Sequence, residues 1–587
     1  MTDRKSRRRT ASPARAFERR EAVSRLPFSS IDVVLLAGLT VLMYVFLRVG
    51  QGATLSYSPA GPVAVSTNPA RLPYDAMRSL IRMFLALGLA FAFSLVYGYA
   101  AARSRKLGRV LVPALDILQS VPVLGFLSVT VTGFIALFPG NYLGLEFASI
   151  FAIFTAQAWN MTFSFYSSVR SLPHQLDELS RMLRLTRWQR FWKIEVPSAT
   201  IGLVWNGMMS FGGGWFFLAA AEAISVLNHQ YQLPGVGSFV AAAIAKQELG
   251  KVGYGILTMV VLVVAVNVLF WRPLVAWSEK YKLEESEAAE RSRSIVLDLL
   301  RRSAWPRALG RLRRRAAEPL DRLMTVLGRD GLRPPAVATA PRLNDRLFDA
   351  AVVAAIGYGV YRMGVYIQQT VGLDEVAKAF LYGLATMGRV VVLLTLGTVI
   401  WVPVGVWIGM SPRVTRLAQP IVQVLASFPA NFLFPFATLA FIWLGVSLNF
   451  GGILLMSLGA QWYILFNVIA GAQAIPTDLR EAAATLRLSR WQRWRSLILP
   501  AIFPSYVTGG ITAAGGAWNA SIVAEVVSYG PTTLTATGLG AYIARATEVG
   551  DFPRILIGVA VMSTFVVGVN RLLWRRLYRL AETRYSL

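Results

Sequence analysis

The chain has 587 residues, 55% of them hydrophobic and 12% aromatic, and its mean hydropathy is +0.51. So apolar a composition excludes an ordinary soluble protein and is that of an integral membrane protein with many spans. The net charge of +28 falls between apolar runs and at the two ends, as the positive-inside rule places it and not as a nucleic-acid-binding surface would; with no Cys and only His174 and His229, disulfides, thiolate metal sites and His-based zinc centres are excluded as well.

Residues 1–29 form a basic arm containing Arg7-Arg8-Arg9 and Arg19-Arg20. The apolar run that follows, 31–49, reads as a retained first span, because its charged flank is long for a signal peptide and no small-x-small cleavage site closely follows. Further runs at 76–101, 110–137, 148–168, 199–227 and 253–274 are each long enough to cross about 30 Å of hydrocarbon. A charged linker, 275–345, contains Glu284-Glu285 and Arg313-Arg314-Arg315; its 294–323 stretch has the pattern of an interfacial helix, with plain tethering as the alternative. The second half supplies runs at 348–371, 379–409, 418–445, 451–471, 502–527 and 552–574. The expected fold is therefore all-α, with about twelve transmembrane helices as two tandem six-helix repeats, 30–274 and 346–587. Both termini are expected in the cytosol, because Arg103, Arg105 and Lys106, the linker, Arg413 and Arg416, and the tail Arg571 to Arg579 then all fall on one side.

The halves are copies. Pro173, Leu176, Glu178, Leu183, Arg184, Leu185, Trp188-Gln189-Arg190 and Pro197 recur without a gap as Pro476, Leu479, Glu481, Leu486, Arg487, Leu488, Trp491-Gln492-Arg493 and Pro500. Beyond that stretch Arg82 aligns with Arg389, Pro122 with Pro429, Trp215 with Trp518, Glu222 with Glu525, and Gly235-x-Gly237 with Gly538-x-Gly540. Because each copy has an even number of spans, the two share one orientation and should flank a common pathway. The leucines at 176, 179 and 183, and Leu479, Ala482 and Leu486, recur at helical spacing as an apolar stripe on a basic segment, which suits either lipid or a docked protein.

Glu481-Ala482-Ala483, followed by Trp491-Gln492 and Leu499-Pro500, resembles the cytoplasmic signature loop of bacterial ABC importer permeases. With Trp518-Asn-Ala-Ser-Ile-Val-Ala-Glu525 and Gly538-Leu-Gly540, the second half is similar to the nitrate, sulfonate, taurine and bicarbonate group. The resemblance implies that Glu178, Leu179, Leu183, Leu185 and Trp188, and Glu481, Ala482, Ala483, Leu486, Leu488 and Trp491, couple the chain to a separate ATPase. Trp188 and Trp491 could equally anchor at the membrane interface. The first copy departs from the signature as Glu178-Leu179-Ser180, and both copies carry Arg, at 184 and 487, where the family usually has Gly. The implied partners are two ATPase subunits, an extracytoplasmic substrate-binding protein and the lipid bilayer of a bacterial inner membrane, with no nucleic acid, cofactor or metal.

Arg82, Trp215 and Glu222, with Arg389, Trp518 and Glu525, are the candidate pathway residues. Each Trp precedes its Glu by two helical turns on one face. One reading makes these residues gates or anion attractors; the other pairs Arg82 with Glu222 and Arg389 with Glu525 as ties. Gly212 to Gly214 and Gly515-Gly516 permit either close packing or bending. No phosphate-binding loop is present, since Gly250-Lys251 is followed by Val252 and preceded by no matching glycine. The expected function is the permease subunit of an ATP-driven importer for a small anion or sulfonate-like solute; the alternative is an ion-coupled secondary transporter of two parallel repeats.

Overall fold

A computed structural model describes residues 65–121, 123–139, 141–226, 229–281, 295–302, 318–319 and 343–585. The basic arm, the expected span 31–49 and most of the 275–345 linker, including two thirds of its expected interfacial helix, lie outside these residues; the described piece of that stretch, Ile295–Arg302, is helical.

The first half runs α1 (Leu72–Arg103), α2 (Arg105–Ser120), α3 (Leu127–Leu137), α4 (Leu143–Arg170), the short α5 (His174–Met182) and α6 (Val196–Glu222). A hairpin of β1 (Ala223–Val226) and β2 (His229–Gln232) follows, then α7 (Val236–Ala245) and α8 (Leu249–Val266). The second half opens with α9 (Leu343–Thr370) and repeats the order as α10 (Asp374–Met410), α11 (Pro412–Ser427), α12 (Phe434–Leu444), α13 (Leu448–Gln473), α14 (Thr477–Thr485) and α15 (Leu499–Ala524). It closes with β3 (Val526–Tyr529), β4 (Thr532–Thr535), α16 (Leu539–Val549) and α17 (Phe552–Val569).

Two expectations are corrected. The runs 110–137 and 418–445 are not continuous helices: α2 and α3 are separated by a 3₁₀ turn at Val123–Phe126, and Pro412–Ser427 meets Ala430–Leu444 at 84°. The cause is the proline in each break. Val121 and Phe428 precede Pro122 and Pro429, where the ring disfavours helical backbone, and both are extended, at ψ 125° and 132°. The fifth runs also end early, at Glu222 and Ala524 rather than 227 and 527, because the next residues pair into hairpins.

Among the described residues, seven helices are long and apolar enough to cross a membrane, or eight if the bent pair counts as one span. α4 and α6 are not among them. Both reach spanning length, but amides, hydroxyls and glycines dilute their apolarity.

The helices are packed in the same way in each half: α4 lies between α1 and α6, and α13 between α10 and α15. In lipid this association depends on close van der Waals fit, because the surrounding hydrocarbon is as apolar as the side chains. Met83, Ile153, Phe165 and Leu218 in the first half, and Leu393, Leu455 and Ile464 in the second, are fully buried in that fit. α9 is peripheral, touching α17, and presents Val353, Ile356 and Tyr361 outward.

Candidate functional site

Glu222 ends α6 and Glu525 caps α15, and both are completely buried. Glu222 Oε1 accepts from Arg82 Nη1 and Ser79 Oγ, both at 2.6 Å, and Oε2 accepts from the Gly237 N–H at 2.7 Å. Glu525 repeats the pattern: Oε1 accepts from Arg389 Nη1 at 2.7 Å and Thr386 Oγ1 at 2.8 Å, and Oε2 from the Ala541 N–H at 3.1 Å. The hydroxyls of Ser79 and Thr386 in turn accept from the N–H of Val236 and Leu539, at 3.0 and 2.9 Å. Each anchor thus joins one long helix, α1 or α10, to the end of α6 or α15 and the start of α7 or α16 after the hairpin. A Cβ on Gly235 or Gly538 would land on the glutamate carboxylate, which is the physical reason for the repeated Gly-x-Gly.

The copies differ in what completes the arginine. Arg82 gives Nε and Nη2 to the Glu146 carboxylate, at 2.5 and 2.8 Å, and Arg78 pairs with the same carboxylate. Asn449 stands at the Glu146 position and Ala385 at that of Arg78, so Arg389 donates instead to the Asn449 carbonyl (3.0 Å), Asn449 Oδ1 (2.9 Å) and the Thr537 carbonyl (2.8 Å). The second anchor loses one carboxylate and one guanidinium together, so each cluster stays balanced, as buried charge requires.

Trp215 and Trp518 are core side chains, the first edge-on to Phe211 at 5.6 Å and the second stacked on Phe565 at 5.8 Å. Neither lines the central cavity, and neither do Arg82, Glu222, Arg389 or Glu525; Trp215 borders a side pocket of about 50 Å³.

That central cavity, about 170 Å³, lies between the halves. Gln119, Trp159, Asn160 and Gly213 wall it from one side, and Trp462, Tyr463, Gly515 and Asn519 from the other. Among the described residues no Lys, Arg, Asp or Glu lines it, and its polar groups are amides, hydroxyls and indole N–H groups. Asn519 Oδ1 accepts from the Val123 N–H at 3.0 Å, so a first-half break docks on the second-half wall. Gln119 donates to Asn160 Oδ1 at 3.3 Å, and both residues also border a second space of about 280 Å³ lined by Ser164, Ser167, Ser168 and Asn206. This vestibule follows α4 toward its C-terminal end, where α5 begins. Sequence reasoning missed these cavity residues because Gln119, Asn160 and Asn519 align with Ala426, Tyr463 and Phe216 and therefore give no repeat signal.

The two segments expected to couple to an ATPase are built alike. Ser180 and Ala483 are buried, whereas Glu178, Leu179 and Leu183, and Glu481, Ala482 and Leu486, face outward. Leu185 and Leu488 are half-buried, Trp188 is half-buried against Trp192, and Trp491 is 72% exposed. The repeated Trp-Gln is structural in its second residue. Gln189 and Gln492 close capping boxes with Thr186 and Ser489, each side chain bonding the other's backbone N–H. Ahead of Pro197 and Pro500 the backbone widens into π turns, Phe191–Glu195 and Trp494–Ile498, around the missing N–H of proline.

The first segment is also braced by charge. Arg190 bonds Asp177 at 2.5 Å and Glu195 at 3.0 Å, and Arg103 at the end of α1 pairs with Glu195. Partial burial pushes the Asp177 carboxyl up, but Arg190 and Arg181 outweigh it and hold the group below its ordinary value. In the second segment Arg480 and Ile498 replace Asp177 and Glu195, and Arg480 and Arg493 donate to backbone carbonyls instead.

The family model for the binding-protein-dependent transport system inner membrane component matches twice, over residues 90–274 and 402–586. The chain belongs to that family. It is therefore an α-helical, multi-pass membrane protein in which the family's permease unit occurs twice. It is similar to the nitrate import permease protein NrtB of Leptolyngbya laminosa, 28% identical over 194 residues, which cover 32% of this chain and 64% of that protein. The bicarbonate transport system permease protein CmpB of Synechococcus elongatus is 28% identical over 188 residues, covering 32% and 64%. The taurine transport system permease protein TauC of Escherichia coli is 28% identical over 179 residues, covering 30% and 62%. The chain thus spans less than two thirds of the length of each of these relatives.

Proposed function

We propose that this chain is the transmembrane permease subunit of an ATP-driven importer in a bacterial inner membrane. Its two six-span halves, 30–274 and 346–587, would be joined by the cytosolic linker 275–345, and the termini would lie in the cytosol. A small anion or sulfonate-like solute, delivered by an extracytoplasmic binding protein, passes through the cavity between Trp159, Asn160, Tyr463 and Asn519. Each coupling segment docks one of two ATPase subunits; closure of that pair moves α6 and α15, which continue directly from the segments, and changes the side to which the cavity opens. Arg82–Glu222 and Arg389–Glu525 act as fixed ties about which the halves move, not as solute ligands.

One observation carries the reading: two outward-facing coupling segments of the same construction sit at the ends of the helices that wall one central cavity. Three of the buried carboxylates that an ion-coupled carrier would need free, Glu146, Glu222 and Glu525, are engaged by arginine, which leaves Asp75 on α1 as the buried carboxylate without an ion pair among the described residues. The test is to purify the tagged chain from its native membrane beside a Glu178→Ala/Glu481→Ala variant, with bound ATPase detected by 8-azido-ATP photolabelling. A labelled subunit that accompanies the wild type and is lost from the variant supports the reading; its absence from both refutes it.

A further inference from the structure

Three non-glycine residues among those described have positive φ: Gln247 at 59°, and Arg184 and Arg487 both at 47°. Gln247 closes a cap at the end of α7, its N–H reaching the Ile244 carbonyl at 3.0 Å and the Glu248 N–H the Ala243 carbonyl at 2.8 Å, and its side chain has a partner, lying against Gly530 of the opposite half. The arginines have no such contact, since their side chains are exposed and make no hydrogen bond or ion pair among the described residues.

They occupy one position in two copies. Arg184 directly follows the C-cap of α5 and donates its N–H to the Arg181 carbonyl at 3.0 Å, while the Leu185 N–H reaches the Ser180 carbonyl at 3.0 Å. Arg487 and Leu488 do the same with Ala484 and Ala483, at 3.0 and 3.1 Å. This is a Schellman cap, whose left-handed residue is ordinarily glycine because a Cβ there crowds the backbone. A cap alone would be better served by glycine, and a side chain kept against that cost in both copies points to use.

We propose that Arg184 and Arg487 are docking residues, each pairing its guanidinium with a carboxylate on the ATPase subunit that covers its coupling segment. This rests on the ATPase-docking reading above. Charge favours an acidic partner, since residues 174–195 carry five Lys and Arg against three Asp and Glu, and residues 477–498 carry five Arg against two. The collar favours a protein partner over lipid: Met182 and Leu183 flank Arg184, Leu486 flanks Arg487, and Trp491 follows, all exposed. Arginine beside exposed aromatic and aliphatic side chains is the composition of a protein interface core. An anionic headgroup could neutralise any nearby cation and would set no premium on one left-handed Cα.

The test uses the full chain with its ATPase, purified as above, comparing wild type with Arg184→Gly/Arg487→Gly and Arg184→Lys/Arg487→Lys. The glycine pair should unfold at no lower temperature than wild type, since its caps are relieved, yet retain about tenfold less photolabelled subunit at about 0.5 M NaCl, with the lysine pair between the two. Retention equal to wild type at every salt concentration overturns the proposal, as does a lower unfolding temperature, which would make the arginines part of the fold. If wild type in wholly zwitterionic lipid loses the subunit as the glycine pair does, the arginines bind headgroups and the proposal is also overturned. Wild type retaining no labelled subunit even at low salt is a different result, refuting the docking reading itself.

Discussion

Changing Glu525→Gln should destabilise the chain more than Glu222→Gln, although both residues are fully buried and hold equivalent places. The isosteric amide keeps a side chain of the same size and shape and removes one negative charge. In the second half Arg389 is then left with Asn449 and the Thr537 carbonyl, all neutral acceptors. A buried cation without a counter-charge is the costly case, about 3–5 kcal/mol when one partner of a buried pair is removed. In the first half the surplus positive charge is shared by Arg78 and Arg82, both of which keep bonds to the Glu146 carboxylate, so neither guanidinium loses its counter-charge outright and the loss should be smaller, about 1.5–3 kcal/mol. The assay is thermal unfolding of the detergent-purified full chain, followed by the loss of the monodisperse size-exclusion peak after heating. Wild type should be most stable, Glu222→Gln intermediate and Glu525→Gln least stable, and converting Asn449→Glu in the Glu525→Gln background should restore part of the loss. Equal losses in the two single variants, or no rescue by Asn449→Glu, would refute the charge accounting.

Gly538→Ala should destabilise by about 1–3 kcal/mol, the cost of overpacking, because its methyl group meets the Glu525 carboxylate; the same heating assay reads it. Gly515→Val should behave oppositely. No atom lies within 4 Å of a Cβ built there, yet the residue walls the cavity, so stability should hold while solute-stimulated ATP hydrolysis by the reconstituted complex falls. Glu195→Ala, which leaves Arg103 and Arg190 without their shared carboxylate, should cost about 1–3 kcal/mol in the heating assay and weaken ATPase retention. The depressed Asp177 carboxyl contributes stability that is complete above its unfolded value of about 3.9 and lost only as pH falls through the lower folded value. ATPase retention measured from about pH 8 to about pH 5 should therefore show no loss from this pair.

The repeat carried most of what was legible in advance. A position held in both copies by the same charged or special residue is under the same physical demand twice, and Arg82/Arg389, Glu222/Glu525 and the Gly-x-Gly pairs proved to be parts of a hydrogen-bonded anchor built once in each half. Pro122 and Pro429 were equally visible, but hydropathy counting read straight through them, so two broken helices were expected as continuous spans. Reading each Trp-Glu face as part of the pathway used periodicity, which reports a shared helix face and not what covers it; close packing on Phe211 and Phe565 covers both tryptophans.

The cavity was only partly legible. Trp159/Trp462 and Gly212-Gly213/Gly515-Gly516 recur in its wall, but a pathway between two copies gains selectivity where the copies diverge, and its amide-bearing residues are ones the repeat does not mark. Asn160 facing Tyr463, and Phe216 in place of Asn519, give one wall an amide where the other has an aromatic ring. The anchors follow a different rule. There Glu146 and Arg78 are replaced by Asn449 and Ala385 as a pair, because a buried cluster tolerates divergence only when its charges change together. Divergence one residue at a time is thus found in the cavity wall, and divergence in balanced pairs in the frame around it.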